Sequence, residues 1–153
     1  MLLDDALAAL ALVRRSEGPI VDVGSGGGTP GIPLAHALPE RDVTLLEAER
    51  RKTRFLERWT AELPNLRVVW GRAEEQATET FGVAVAKALA HPSVAAEWCL
   101  PLVREGGMVL LWVGPSADLE AVRAASEQVA GVLAETPPGF PRRPGMAKKR
   151  PLA

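Results

Sequence analysis

Short apolar runs rich in β-branched residues recur along the chain at positions 20–23 (IVDV), 43–46 (VTLL), 66–70 (LRVVW), 83–86 (VAVA) and 108–113 (MVLLWV). The stretches between them have helical spacing and helix-end signals. Pro30 and Pro33 fall in the first turn of one stretch, where a missing N–H costs little. In residues 48–63 the apolar Phe55, Leu56, Trp59 and Leu63 share a face, Glu49, Arg50, Arg51 and Lys52 open the segment in solvent, and Pro64 stops it. Residues 117–130 read as another helix, with Asp118 and Glu120 in its first turn. Leu3, Leu7 and Leu10 read as a short helix leading into the first strand. Strands alternating with helices imply right-handed βαβ crossovers, and nearly uninterrupted apolar strands imply cover on both faces. The expected fold is α/β and Rossmann-like: a mostly parallel sheet of five clear strands, at most one short C-terminal strand at 132–135, and helices on both faces.

At 153 residues the chain has the size of one domain, and 47% hydrophobic and 24% charged residues suit a globular fold. A single cysteine, Cys99, excludes disulfide frameworks and four-cysteine zinc sites. Two histidines, His36 and His91, leave little for a metal centre, and none is expected. Asp4 and Asp5 precede the N-terminal apolar run and Arg14 and Arg15 follow it, the reverse of a secretory signal; no apolar run is long enough to span a membrane. A cytoplasmic location is expected. The net charge of −1 conceals an asymmetry: residues 140–153 (FPRRPGMAKKRPLA) hold five cations and no acid. The expected organisation is one domain over 1–139 and a basic, flexible tail over 140–153 that meets a polyanion.

The most specific local signal is DVGSGGGTPG at 22–31, directly after the first strand. Glycines there permit positive φ and bring backbone N–H groups close to a ligand where the next helix begins. The dinucleotide fingerprint G-x-G-x-x-G fails from Gly24, because Thr29 takes the last position. From Gly26 the match is formal only, too far from the strand and with Pro30 before Gly31. Asp-x-Gly-x-Gly-x-Gly, as Asp22, Gly24, Gly26 and Gly28, fits without adjustment and resembles the first motif of S-adenosylmethionine-dependent methyltransferases. A cofactor with an amino acid group in place of a pyrophosphate tolerates a neighbouring acid. Asp22 would face its ammonium, directly or through water, or else cap loop amides. Glu47, ending the second strand, is placed to accept both ribose hydroxyls, a role common to both cofactor classes. Gly71-Arg72-Ala73-Glu74-Glu75 offers an acid or a backbone amide to an adenine amino group, or simply acids at a helix start. Lys87 and His91 follow the fourth strand, on the side where open α/β sheets bind ligands, unless they are ordinary solvated loop residues.

GSGGGTPGIPLA (24–35), VTLLEAERRKTRFLE (43–57), GRAEE (71–75), WCLPLV (98–103) and FPRRPG (140–145) together resemble the family of ribosomal RNA small subunit methyltransferase G, or glucose-inhibited division protein B. The likeness covers residues 2–116 and resumes in the tail. It implies a class I methyltransferase sheet, S-adenosylmethionine as cofactor, and transfer of its methyl group to N7 of a guanine in 16S ribosomal RNA. It also implies that Gly24 and Thr29 touch the cofactor, with Asp22, Ser25, Gly26 and Gly28 completing the loop. Glu47, Ala48 and Glu49 would lie along ribose and adenine, Ala73 and Glu74 at adenine, and Lys87 where the family usually has arginine. Lys87 lacks the planar guanidinium fork, and Thr29 stands where the family usually has phenylalanine. The family carries a helical extension before the segment that begins here at Met1, so the chain reads as a short member. The family also closes its sheet with an antiparallel strand pair, of which 132–135 supplies at most half. An uncovered fifth strand would invite pairing of two copies.

On this reading the RNA or small subunit would meet Lys87, His91, Phe140, Arg142, Arg143, Lys148, Lys149 and Arg150, with Phe140 stacked on a base or packing the tail down. Phe55, Phe81 and the four tryptophans, Trp59, Trp70, Trp98 and Trp112, read as core. Guanine N7 carries a free lone pair, so no general base is required and no catalytic acid or base is assigned. The alternatives are an inactive relative that binds RNA or ribosomes, a methyltransferase for another substrate and, more distantly, a nucleotide-dependent oxidoreductase.

Overall fold

The computed structural model describes residues 6–129, 131–134 and 144–149. Five strands run parallel: β1 (Ile20–Val23), β2 (Val43–Glu47), β3 (Leu66–Trp70), β4 (Phe81–Lys87) and β5 (Val103–Trp112), side by side in the order β3-β2-β1-β4-β5. In register, Asp22 lies beside Leu45 of β2 and Val85 of β4. Every residue of β1 and β2 is buried, as expected of strands covered on both faces.

The cover comes from two groups of helices. Val13 of α1 (Leu10–Arg14), Leu34 and Ala35 of α2 (Gly31–Ala37) and Leu56 of α3 (Arg50–Leu56) pack with Ile20, Val43, Leu45 and Val83. On the other face Ala96 and Cys99 of α4 (Pro92–Cys99) and Val122 of α5 (Leu119–Gln128) pack with Val21, Val23, Ala84 and Val109. Asp118 is the N-cap of α5 rather than part of its first turn; its Oδ1 accepts from the Ala121 N–H at 3.0 Å. Below the strands, Asn65 Nδ2 donates to the carbonyls of Ala35, Leu38 and Arg41, and Arg41 donates to those of Val13, Ser16 and Gly18. No helix among the described residues is long and apolar enough to cross a membrane.

Three expectations are corrected. First, the sheet ends in two antiparallel strands, not one. β6 (Gly131–Ala134) pairs with β7 (Pro144–Lys149), and β7 pairs with β5, giving the order β3-β2-β1-β4-β5-β7-β6. β7 falls within the stretch read as a flexible tail; its residues, PGMAKK, carry no apolar alternation, and backbone pairing on both sides makes the strand. β5 is therefore not an edge, and two copies cannot pair through it as expected. Second, Phe55 and Trp59 are exposed, because Thr53 and Leu56 take the core-facing positions of α3. Third, β3 is an edge strand, and Trp70 at its end is 57% exposed. Its indole Nε1 donates to the Ala48 carbonyl at 3.0 Å, and the Arg50 guanidinium lies 4.6 Å over the ring. Phe81 is buried as expected.

Candidate active site

In a parallel sheet of this order the chain winds outward in opposite directions from β1 and β4. A crevice opens beyond their carboxyl ends, and ligands bind there. The loop from Gly24 to Pro30 fills that place. It is pinned from the sheet: the Gly24 and Ser25 N–H groups both donate to the Leu46 carbonyl, at 2.8 and 3.1 Å, and Ser25 Oγ donates to the Asp22 carbonyl at 2.8 Å. Gly26 has φ +55, and a Cβ built there would meet no heavy atom nearer than the Gly24 carbonyl oxygen at 3.9 Å. The loop therefore presents bare backbone to the crevice. Gly24, at φ +69, is bare for a different reason: a Cβ would overlap Leu89 of the segment after β4.

Glu47 is central to the arrangement. It is buried at the end of β2, its Oε2 accepts from the Gly26 N–H at 2.7 Å, and its Oε1 accepts from the Glu49 N–H at 2.8 Å. One carboxylate thus ties the glycine loop to the start of α3. Each oxygen keeps a further lone pair, the acceptor capacity that a pair of ribose hydroxyls requires. Asp22 is placed differently. It belongs to the α2 face of β1, is 1% exposed, and accepts the Gly31 N–H on Oδ2 at 2.9 Å, while its buried Oδ1 has no partner among the described residues. Burial pushes its carboxyl from 3.8 up to about 7, against the pull of the Gly31 N–H.

Two clefts at the strand ends border this loop, and a third adjoins the first of them. The central one, of about 440 Å³, is lined by Gly24, Ser25, Gly26, Thr29, Glu47 and Lys87, with Gly27, Lys52, Ala88 and Leu89. A second, smaller and more enclosed one, of about 90 Å³, passes between Glu47 and Ala48 on one side and Ala73 and Glu74 on the other, floored by Val23 and Leu46 and closed by Leu89 and Trp98. A third lies beyond β4 and β5 and shares Lys87 and Ala88 with the first; Pro92, Trp112 and Gly114 complete its wall. Ala88 has φ +52, a left-handed conformation that costs an L-residue about 1 kcal/mol. Strain of this kind is maintained where a loop must hold a shape.

Most of the residues singled out in the sequence converge here: Gly24, Ser25, Gly26, Thr29, Glu47, Ala48, Ala73, Glu74 and Lys87 line the first two of these clefts. Glu49 lies at the adjoining surface and pairs with Lys52 at 2.9 Å. Gly28 is turned away; with φ +94 it packs on Ile32 and lines none of these clefts. Asp22 lies beneath the loop rather than in a cleft, and His91 is exposed with Nδ1 2.9 Å from Ser93 Oγ. Phe140, Arg142, Arg143 and Arg150 lie outside the described residues. Lys148 and Lys149 belong to β7. Sequence reasoning missed Gly27, Leu89 and Trp98. The signal for Leu89 is its position, just after β4 at the end of the sheet where ligands lie.

The donor set fits S-adenosylmethionine. Glu47 is a buried carboxylate with bound N–H groups and has the spare lone pairs that a pair of ribose hydroxyls requires. Bare glycine backbone faces the crevice, an apolar slot bounded by Leu46, Leu89 and Trp98 suits an adenine ring, and Asp22 Oδ1, without a partner among the described residues, is a buried acceptor beneath the loop.

Comparison with known proteins identifies the family and the fold. The rRNA small subunit methyltransferase G (GidB) family model matches residues 1–137. The ribosomal RNA small subunit methyltransferase G of Moorella thermoacetica is 33% identical, with 99% of this chain and 76% of that protein covered; that of Rubrobacter xylanophilus is 35% identical, covering 99% and 71%. Among solved structures of low identity that share the fold, M. jannaschii TYW2 in complex with AdoMet superposes with a TM-score of 0.72 at 13% identity, over 95% of this chain and 73% of that one. Bacillus subtilis YcgJ superposes with a TM-score of 0.71 at 13% identity, over 93% and 98%. The chain belongs to the rRNA small subunit methyltransferase G family, whose members are S-adenosylmethionine-dependent rRNA methyltransferases.

Proposed function

We propose that this chain transfers a methyl group from S-adenosylmethionine to N7 of a guanine in the 16S RNA of the small ribosomal subunit. The observation that carries the reading is the crevice at the ends of β1, β2 and β4, where Glu47 organises a bare glycine loop, in a chain of this family. Bound S-adenosylmethionine supplies an electrophilic methyl on a sulfonium, which the N7 lone pair takes without help from a base. The residues have only to bind, orient and exclude water, and that suits a site without a catalytic histidine or carboxylate pair.

In this reading Gly24, Ser25, Gly26 and Thr29 hold the amino acid end, with Asp22 supporting the loop from below. Glu47 takes the ribose hydroxyls, with Ala48 and Glu49 alongside. Ala73 and Glu74 face the adenine, where Leu89 and Trp98 bound an apolar slot. The guanine enters the neighbouring cleft, between Ala88 and Trp112. Lys87 stands between the two clefts. Its charge opposes the cationic ring of the product, so its part is to hold a phosphate or guanine O6; His91 and the basic residues of the C-terminal segment, Arg142, Arg143, Lys148, Lys149 and Arg150, meet further phosphates. If all five of those charges neutralised single-strand phosphates, the logarithm of affinity would fall with the logarithm of salt at a slope of about −3.5.

Incubation with S-adenosylmethionine and small subunits lacking their native N7-methylguanine, followed by nucleoside mass spectrometry of the RNA, tests the reaction. The expected product is N7-methylguanosine in 16S RNA. A different methylated nucleoside would overturn the assignment to N7, and methylation only of some other substrate would overturn the assignment to the subunit.

A further inference from the structure

α3 presents a surface that its place in the core does not explain. Thr53 and Leu56 hold the helix on the sheet. Arg51, Arg54 and Phe55 of α3, with Arg58 of the 3-10 turn Glu57–Trp59 that continues it, are spaced i, i+3, i+4 and i+7, a stripe on the opposite side. The four residues line a cleft of about 850 Å³ whose mouth reaches Gly26 and Gly27, the same glycines that border the cofactor cleft. All four are exposed, Phe55 to 45%. Among the described residues no ion pair involves Arg51, Arg54 or Arg58, whereas Lys52 beside them is already paired with Glu49.

The charge is concentrated. Residues 49–58 hold five cations and two acids, whereas the rest of residues 1–139 hold eight cations and seventeen acids. A cationic stripe on an otherwise acidic body attracts a polyanion locally. Guanidinium forks match phosphate oxygens in geometry as well as charge. An exposed phenylalanine between them adds a flat apolar face that phosphate does not use and a nucleic acid base does.

We propose that this face of α3 binds the single-stranded RNA next to the target guanine, with Arg51, Arg54 and Arg58 on successive phosphates and Phe55 under an unstacked base. The inference rests on the reading that this chain methylates small-subunit RNA, and it adds a second contact surface, separate from the C-terminal basic residues. An acidic protein segment would use the arginines but has no base for Phe55.

The test compares the wild type with an Arg51→Gln/Arg54→Gln/Arg58→Gln variant and with Phe55→Ala. Binding to small subunits lacking N7-methylguanine is measured with S-adenosylhomocysteine present, so that no turnover occurs. The triple variant is expected to lower the salt slope by about two and Phe55→Ala to weaken binding about tenfold. Both should keep the wild-type affinity for S-adenosylhomocysteine and the wild-type melting temperature, because the altered side chains lie in solvent. Unchanged subunit binding by the triple variant, or no binding by the wild type, overturns the surface. Loss of S-adenosylhomocysteine binding overturns it too, because the stripe would then belong to the cofactor site. A loss confined to the arginine variant overturns the stacked base and with it the single-stranded partner. If the wild type binds subunits through this face yet transfers no methyl, the surface stands and the methyltransferase reading fails. Transfer with unchanged binding in both variants has the opposite meaning.

Discussion

Replacing Asp22 with asparagine removes an ionisable group from the interior while keeping its shape and its acceptor for the Gly31 N–H. Burial raises this carboxyl from 3.8 to about 7 in the folded chain. Between those two values the folded protein holds a proton that the unfolded chain has released, so unfolding releases a proton and stability falls as pH rises. Each pH unit in that window is worth about 1.4 kcal/mol, so the wild type loses about 4 kcal/mol between pH 4 and pH 7 through this group alone. Below pH 4 both states are protonated and above pH 7 both are ionised, and the contribution is level. Urea unfolding of the wild type and the Asp22→Asn variant at several pH values isolates the effect, because every other titrating group cancels in the difference. The variant is expected to gain on the wild type steadily from pH 4 to 7 and then to hold its gain. A difference that does not change with pH, or that moves the other way, would refute the assignment of Asp22 as a buried group protonated in the fold.

Further outcomes follow from the loop and the basic C-terminal residues. Glu47→Gln places an amide N–H₂ against one of two backbone N–H donors; losing one charge-assisted hydrogen bond should cost about 2 kcal/mol and lower the melting temperature by about 6 °C, with weaker S-adenosylhomocysteine binding by calorimetry. An unchanged melting temperature would show that the carboxylate does not hold the loop. Neutralising Arg142, Arg143 and Arg150 together should reduce the salt slope of subunit binding by about two, without affecting the cofactor; an unchanged slope would remove those residues from the RNA contact.

The parallel core was legible because β1, β2 and β4 are buried on both faces and so read as nearly uninterrupted apolar runs. The glycine loop was legible because its spacing is local. What the sequence hid has identifiable causes. In α3 a threonine, Thr53, occupies a core-facing position, its hydroxyl satisfied by the Glu49 carbonyl at 3.0 Å, so a pattern built from apolar residues alone put Phe55 on the wrong side. Trp70 looked like core because β3 reads like its neighbours; only the strand order shows it at the edge. β7 has Met146 and Ala147 as its apolar content beside two lysines, and nothing local marks it as a strand. The double role of Glu47 depends on a contact with Gly26 across twenty-one residues of chain, which spacing suggests as a ligand position but not as a brace.

The central claim is that this crevice delivers a methyl group to ribosomal RNA. The most direct measurement is transfer of labelled methyl from S-adenosylmethionine to small subunits lacking N7-methylguanine, by the wild type and by Gly26→Arg. The open space beside Gly26 lets the new side chain enter the cofactor crevice without displacing the core, at a backbone cost of about 1 kcal/mol for an L-residue at φ +55. Incorporation by the wild type that a folded Gly26→Arg variant abolishes is the predicted result. A folded wild type that transfers nothing, or a Gly26→Arg variant that transfers as well as the wild type, would contradict the account.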